Sequence, residues 1–321
     1  MTRPMPAGSV TARPGRLFLR ARVSRRDEAV FVLKLLLAVV LVAGGALLAL
    51  RSNLLVAATG VVLLGATYTH LLELQHQCLH HSAFRRPGVH RAVGVPLGLA
   101  LLVSYSHYRV RHLQHHRYLG TPRDSEFFGF DTRRPITVGG LCRGLFDLGR
   151  MAAVLHSIIR CVRGNWTYDM GQISHRLSRD IRNEYRFMGL LVLAAGGGFA
   201  LGLGGLVLRL WLLPLLIGLP LHFLVELPEH LLCDSDSTDV LRNTRSIRGT
   251  WFSTWYTNGN NLHVEHHAAM TVPINRLPER HEDVRRFAVH VERGYPTFYR
   301  RVFREARRNS RIRRAPDAGR G

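Results

Sequence analysis

The chain is almost without lysine: of its 44 basic residues, only Lys34 is not an arginine. Acidic residues are half as many, 22, so the formal net charge is +22 and rests on guanidinium groups that stay charged at any physiological pH. Cysteine is scarce too. Cys78, Cys142, Cys161 and Cys233 form no C-x-x-C pair, which excludes a zinc ribbon, and nothing suggests a disulfide scaffold, so all four are expected as reduced thiols. No haem-binding or flavin fingerprint, fused redox domain or nucleic-acid recognition module is present, and the arginines cluster beside apolar blocks. Their charge therefore points to lipid headgroups or an acidic carrier, with no nucleic acid as partner. The apolar blocks themselves hold few ionisable residues. Lys34, His70, His222 and Glu226 all fall near block ends, which argues against a non-catalytic membrane protein that binds or passes metal ions.

What is abundant is apolar sequence in long runs, within a 46% hydrophobic composition. Residues 29–50 and 54–72 each have the length that spans a bilayer, with Arg51, Ser52 and Asn53 as the turn between them. A second pair is expected at 187–208 and 210–227, turning at Arg209. Residues 93–106 are too short and carry Pro96, so they suit an interfacial or re-entrant segment; 135–164 mixes leucines with arginines as an interfacial amphipathic helix does. Residues 1–28 are expected as a largely disordered basic arm against a membrane surface, 29–285 as the membrane domain and 286–321 as a basic C-terminal tail. Because the two short turns carry only Arg51 and Arg209, the positive-inside rule puts both termini and the long connections in the cytoplasm. The expected fold is an all-α membrane protein with four transmembrane helices in two hairpins and a cytoplasmic histidine-rich helical cap. A bacterial cytoplasmic membrane is the expected location.

Histidine is the other excess, with 18 residues, most of them in three clusters. His76, His80 and His81 lie in HQCLHH; His112, His115 and His116 in HLQHH; His263, His266 and His267 in NNLHVEHH. Spacings of three and four place side chains on one helical face, and neutral imidazole is a good ligand for iron, zinc or copper. With two hairpins and both termini on one side, all three clusters fall on the same membrane face and can converge. His230, in ELPEH just past the fourth block, joins them as a further candidate ligand. Eight or nine imidazoles are too many for one ion, so two are the economical reading. All-nitrogen ligation leaves their charge uncompensated, which makes Glu73, Asp124, Glu126, Glu226, Glu229 and Glu265 candidate partners of the outer ring nitrogens. Asn260 and Asn261 are expected to cap or brace the helix carrying the third cluster. His70, His107, His156, His175, His222 and His290 are expected to be structural.

The order HQCLHHSAF, HLQHH, NNLHVEHH followed by VPINRLPERH resembles the integral-membrane fatty acid desaturase and hydroxylase superfamily and its three histidine boxes. The resemblance runs from about residue 30 to about 285. It implies two Fe ions that activate O2 and abstract hydrogen from an unactivated C–H bond of an acyl chain. It implies His76, His80, His112, His115, His116, His263, His266 and His267 as ligands, with His230 in the place of an additional histidine and Glu226 where some relatives have a water-mediated polar ligand. His81 stands where many relatives have glycine, leaving His80 or His81 as the second ligand of the first box. Desaturation is the expected outcome, with hydroxylation or acetylene formation on the same scaffold as alternatives. The substrate is expected as a lipid, CoA or acyl carrier protein thioester, and the electrons must come from an external ferredoxin, cytochrome or reductase.

Overall fold

The computed structural model describes residues 16–125 and 131–312. Residues 1–15 of the arm, residues 313–321 and the candidate Glu126 lie outside the described residues.

Helix α1 (Arg25–Ala49) starts at a capping box in which Ser24 and Asp27 satisfy each other's backbone N–H groups. Helix α2 (Leu54–Leu79) follows after a short turn, the N–H groups of Leu55 and Val56 donating to Asn53 Oδ1. At 26 residues α2 is roughly 39 Å long, about 9 Å more than a hydrocarbon core, so its last turns rise clear of the apolar layer. The two helices pack closely at Gly60, where a Cβ would meet the Ala49 backbone nitrogen at 2.2 Å. Gly65 does the same on the opposite face, where a Cβ would meet Ile217 at 2.7 Å. Small residues thus let α2 sit between two neighbours, and half of its most apolar window is buried, against 17% for α1.

Helices α3 (Pro87–Leu99) and α4 (Tyr105–Tyr118) return across the end of α2. The amphipathic stretch forms two helices, α5 (Val138–Leu145) and α6 (Leu148–Val162), interrupted where Asp147 caps the second. Helix α7 (His175–Ala200) buries Ile181, Tyr185 and Met188 against α6.

The second hairpin departs from expectation. Its turn falls at 201–203, where Gly202 takes a positive φ of 79° and the N–H groups of Gly202 and Leu203 bond back to Phe199 and Gly198. Arg209 continues the helix. It lies in a π-helical turn (Leu208–Leu212) joining α8 (Gly204–Val207) to α9 (Leu213–Glu226), and its guanidinium reaches the Arg51 carbonyl at 3.4 Å, so both hairpin turns sit at one end. A charge was a poor marker of the turn because glycine carries the left-handed conformation. Among the described residues, three helices are long and apolar enough to cross a membrane: Arg25–Ala49, Leu54–Leu79 and Gly204–Glu226. The first half of α7 carries Arg176, Arg179, Asp180, Arg182 and Arg186, which leaves only its second half apolar.

Beyond α9 come α10 (Val240–Asn243), β1 (Arg245–Ile247), α11 (Trp251–Tyr256), α12 (His263–Ala268), α13 (His281–Phe287), β2 (His290–Glu292) and α14 (Tyr295–Ile312). The expectation of an all-helical chain misses the parallel pair β1–β2. Within residues 286–312, Phe298, Val302 and Ala306 of α14 are fully buried against Leu227, Leu231 and Ile247. In the described part of the N-terminal segment, Leu17 is buried against Val264 and Val284, and its carbonyl accepts from Arg280 at 2.7 Å. In each case an apolar stripe within a basic stretch drives docking, and net charge hides it.

Candidate metal centre

The end of α2 presents His76 and His80 to one side, and α4 presents His112, His115 and His116 toward them. His230 comes from the turn after α9. His263, His266 and His267 come from α12, whose seat is β1: Ser246 Oγ accepts from the Val264 N–H at 3.0 Å and donates to Glu265. All nine side chains converge. His76, His80, His112, His116 and His266 form one group of ring nitrogens, and His115, His230 and His267 form a second; His230 also groups with His263 and Glu229. His116 and His267 stack at 4.0 Å between ring centroids and join the two groups.

In the first group the ring nitrogens stand within hydrogen-bonding distance of one another. His76 Nε2 lies 2.7 Å from His112 Nε2, which is 2.9 Å from His80 Nε2 and 3.0 Å from His116 Nε2. In the second group the tautomers can be read. The Nδ1 of His115 faces Asp124 at 2.7 Å, that of His230 faces the Asn243 carbonyl at 2.9 Å and that of His263 faces Asn260 Oδ1 at 3.2 Å. Each Nδ1 therefore holds the proton and turns an Nε2 lone pair inward, yet His230 Nε2 stands 3.1 Å from both His115 Nε2 and His263 Nε2. Facing lone pairs repel unless a cation lies between them. Donors about 2.1 Å from a common ion stand about 3 Å apart, so the spacing fits metal ligation. Both ring nitrogens of His266 and of His267 are buried without a hydrogen-bond partner among the described residues. Burial, aided by mutual repulsion, holds His80, His112, His116, His263, His266 and His267 well below the usual histidine range and brings His230 to about 3. Neutral imidazole is the form a metal needs.

Several of the expected residues take distinct places. His80 enters the first group, whereas His81 takes a positive φ of 54°, is exposed and stacks on His90. Asp124 touches a clustered histidine. Glu265 does not: it faces away, bonded to Ser246 and to His281 Nδ1. Asn261 binds the Ile247 carbonyl and the side chains of Thr254 and Thr257, so it braces the loop and touches none of the nine histidines. The cap of α12 is Leu262, without a side-chain hydrogen bond; Asn260 instead links Glu229, at 2.6 Å, to His263. Sequence reading passed over Arg245, which is fully buried and donates to the carbonyls of Pro228, Leu231 and Leu232, fixing the turn that carries His230. Lying in an arginine-rich segment, it gave no signal of its own.

Glu226 joins neither histidine group. It sits with Glu73 and His222, beside Tyr108, whose hydroxyl donates to Glu226 Oε1 at 3.4 Å and whose ring stacks on His76. His222, expected to be structural, lies between the two carboxylates; the signal was its i, i+4 spacing to Glu226. A half-open cavity of about 490 Å³ reaches this point, with Leu219, Phe223 and Leu227 on one wall and Arg143 and Arg150 on another.

Fold and site together define a helical protein whose apolar helices end in a buried polyimidazole centre. Residues 52–299 match the family model described as fatty acid desaturase, and the chain belongs to that family. The family implies an oxidoreductase. Two relatives are each 26% identical: the sn-1 oleoyl-lipid 12-desaturase of Picosynechococcus sp. over 47% of this chain, and the dihydrorhizobitoxine desaturase of Bradyrhizobium elkanii over 67%. The chain spans 44% and 63% of the length of those two curated relatives.

Proposed function

We propose that the protein is a membrane-bound, O2-dependent di-iron oxidoreductase that removes two hydrogens from adjacent carbons of an acyl chain. The convergence of nine inward-facing imidazoles into two adjoining groups is the observation that supports this reading. The balance is –CH2–CH2– + O2 + 2e⁻ + 2H⁺ → –CH=CH– + 2H2O, so an external ferredoxin, cytochrome or reductase must supply two electrons. The basic face formed by the arginine-rich connections suits an acidic donor and, by the positive-inside rule, faces the cytoplasm together with both termini. α7 completes the four-span arrangement in this reading, its apolar half crossing beside α8 and α9.

The five-histidine group would hold one iron, and His115, His230, His263 and His267, with Glu229 beside them, the other; the bound irons would supply O2 activation. The chain's own residues do the rest. Asp124, Asn260 and the Asn243 carbonyl hold three imidazoles in the tautomer that turns Nε2 inward. Tyr108, stacked on His76 and donating to Glu226, connects the histidines to the cavity whose apolar wall would carry the substrate's chain. The relatives' names put both an oleoyl-lipid and dihydrorhizobitoxine among their substrates, and an acyl chain held as a lipid or thioester fits the apolar wall better.

The test is product analysis by mass spectrometry with purified iron-loaded protein, a reductant system and acyl substrates of several carriers. Loss of two hydrogens, dependent on O2, is expected. Gain of one oxygen would make the protein a hydroxylase, and turnover without O2 would overturn the reading.

A further inference from the structure

Helix α2 carries Glu73 one turn before His76, and α9 carries His222 one turn before Glu226. The close approach of these helices at Gly65, reinforced by the Thr69 hydroxyl donating to the Gly218 carbonyl at 2.9 Å, brings the three side chains together. His222 Nε2 lies 3.2 Å from Glu226 Oε1 and 3.8 Å from Glu73 Oε1, and one donor atom from each residue falls within 4.8 Å of the others. Glu73 and His222 are 2% and 1% exposed.

A carboxylate at the depth of Glu73 needs compensating charge, and the less buried Glu226 beside it adds to that need. Arg150 lines the same cavity and offsets part of the charge on Glu226. Glu73 has a side-chain hydrogen bond with Asn260, but among the described residues no arginine or lysine pairs with it, and its Oε2 is buried without a hydrogen-bond partner. The spacings match three donors about 2.1 Å from one ion, and two oxygens with one nitrogen suit a harder divalent metal than the nitrogen-dominated histidine groups do. His222 and Glu226 also line the cavity, so a metal there would keep an open position facing it.

We propose that Glu73, His222 and Glu226 bind a divalent first-row cation of their own, distinct from the two metals of the histidine centre, with a free coordination position toward the 490 Å³ cavity. A heteroatom of a ligand in that cavity, or a water, completes its shell. The proposal rests on the di-iron reading only for the total count of metals, not for the existence of this site.

Full-length protein, stripped with chelator in detergent and dialysed against Mn2+, is analysed by mass spectrometry for bound metal. The wild type is expected to retain one equivalent more than Glu73→Gln/His222→Gln, while His116→Ala/His267→Ala keeps that equivalent and loses metal from the histidine centre. Failure of the di-iron reading would show as His116→Ala/His267→Ala binding as much as the wild type, with the deficit of Glu73→Gln/His222→Gln unchanged. Glu73→Asp, which keeps the carboxylate and tests the site should the double variant misfold, is expected to retain the equivalent with at least tenfold weaker affinity. Equal metal content in wild type and Glu73→Gln/His222→Gln, both monodisperse and equally helical, overturns the proposal, as does Glu73→Asp binding as tightly as the wild type.

Discussion

The two histidine groups are built differently. Of the five histidines in the first, His76, His112 and His116 stand on α2 and α4 and His80 caps α2; His76 Nδ1 and His80 Nδ1 have no hydrogen-bond partner among the described residues. The second draws on α4, on a turn after α9 and on the six-residue α12, and there the outer nitrogens of His115, His230 and His263 are tethered to Asp124, Asn243 and Asn260. The tethers do not follow the length of the carrying element, since His115 stands on α4 while the untethered His266 and His267 stand on α12; they mark three rings of the second group, fix which nitrogen turns inward and, at His115, bring a carboxylate against the ring.

The comparison breaks most visibly at a ligand. His266→Ala, in the first group, is expected to lower turnover at least 100-fold and to release that group's metal, read by O2 consumption and metal content; full activity would sink the mechanism. Asp124→Asn tests the tether. It should weaken one metal by 10–100-fold in chelator competition and leave the other unchanged, because no such carboxylate holds the first group's rings. A loss shared equally by both metals would erase the distinction.

Acid should act on both groups once the metal is removed. Their folded-state pKa values lie below the unfolded value of about 6.5, so the unfolded chain binds more protons as pH falls. The stability of chelator-treated protein is present above pH 6.5 and lost on going down toward about 3, the value for His230, by about 1.4 kcal/mol per pH unit for each histidine. Thermal melts between pH 7.5 and 5 read this, and a flat profile would contradict the burial. His81→Asn should change least, within about 0.5 kcal/mol and without loss of metal, since asparagine tolerates the positive φ and the ring lies outside both groups. Loss of metal from this variant would reverse the choice of His80 over His81.

Much of the first group was legible from its pattern, because i, i+3 and i+4 spacing on a helix fixes the direction of each side chain wherever the helix goes. His230 was legible from topology. The rest depended on partners distant in the chain. Arg245 matters through three carbonyls 13 to 17 residues away, His222 through Glu73 on another helix, and Leu17 through a contact with α12 and α13. None of these leaves a local pattern, and the excess of arginine hid the apolar stripe of α14.

By itself the sequence determined that long apolar segments would carry histidine boxes to one side, since hydropathy and helical periodicity act locally. Tertiary structure alone decided which ring of His80 and His81 turns inward, how nine imidazoles divide into two groups, and that Glu226 leaves them for Glu73 and His222. Those outcomes turn on how closely helices approach at Gly60 and Gly65 and on which buried nitrogen finds an acceptor, and both are properties of packing between segments far apart in the chain.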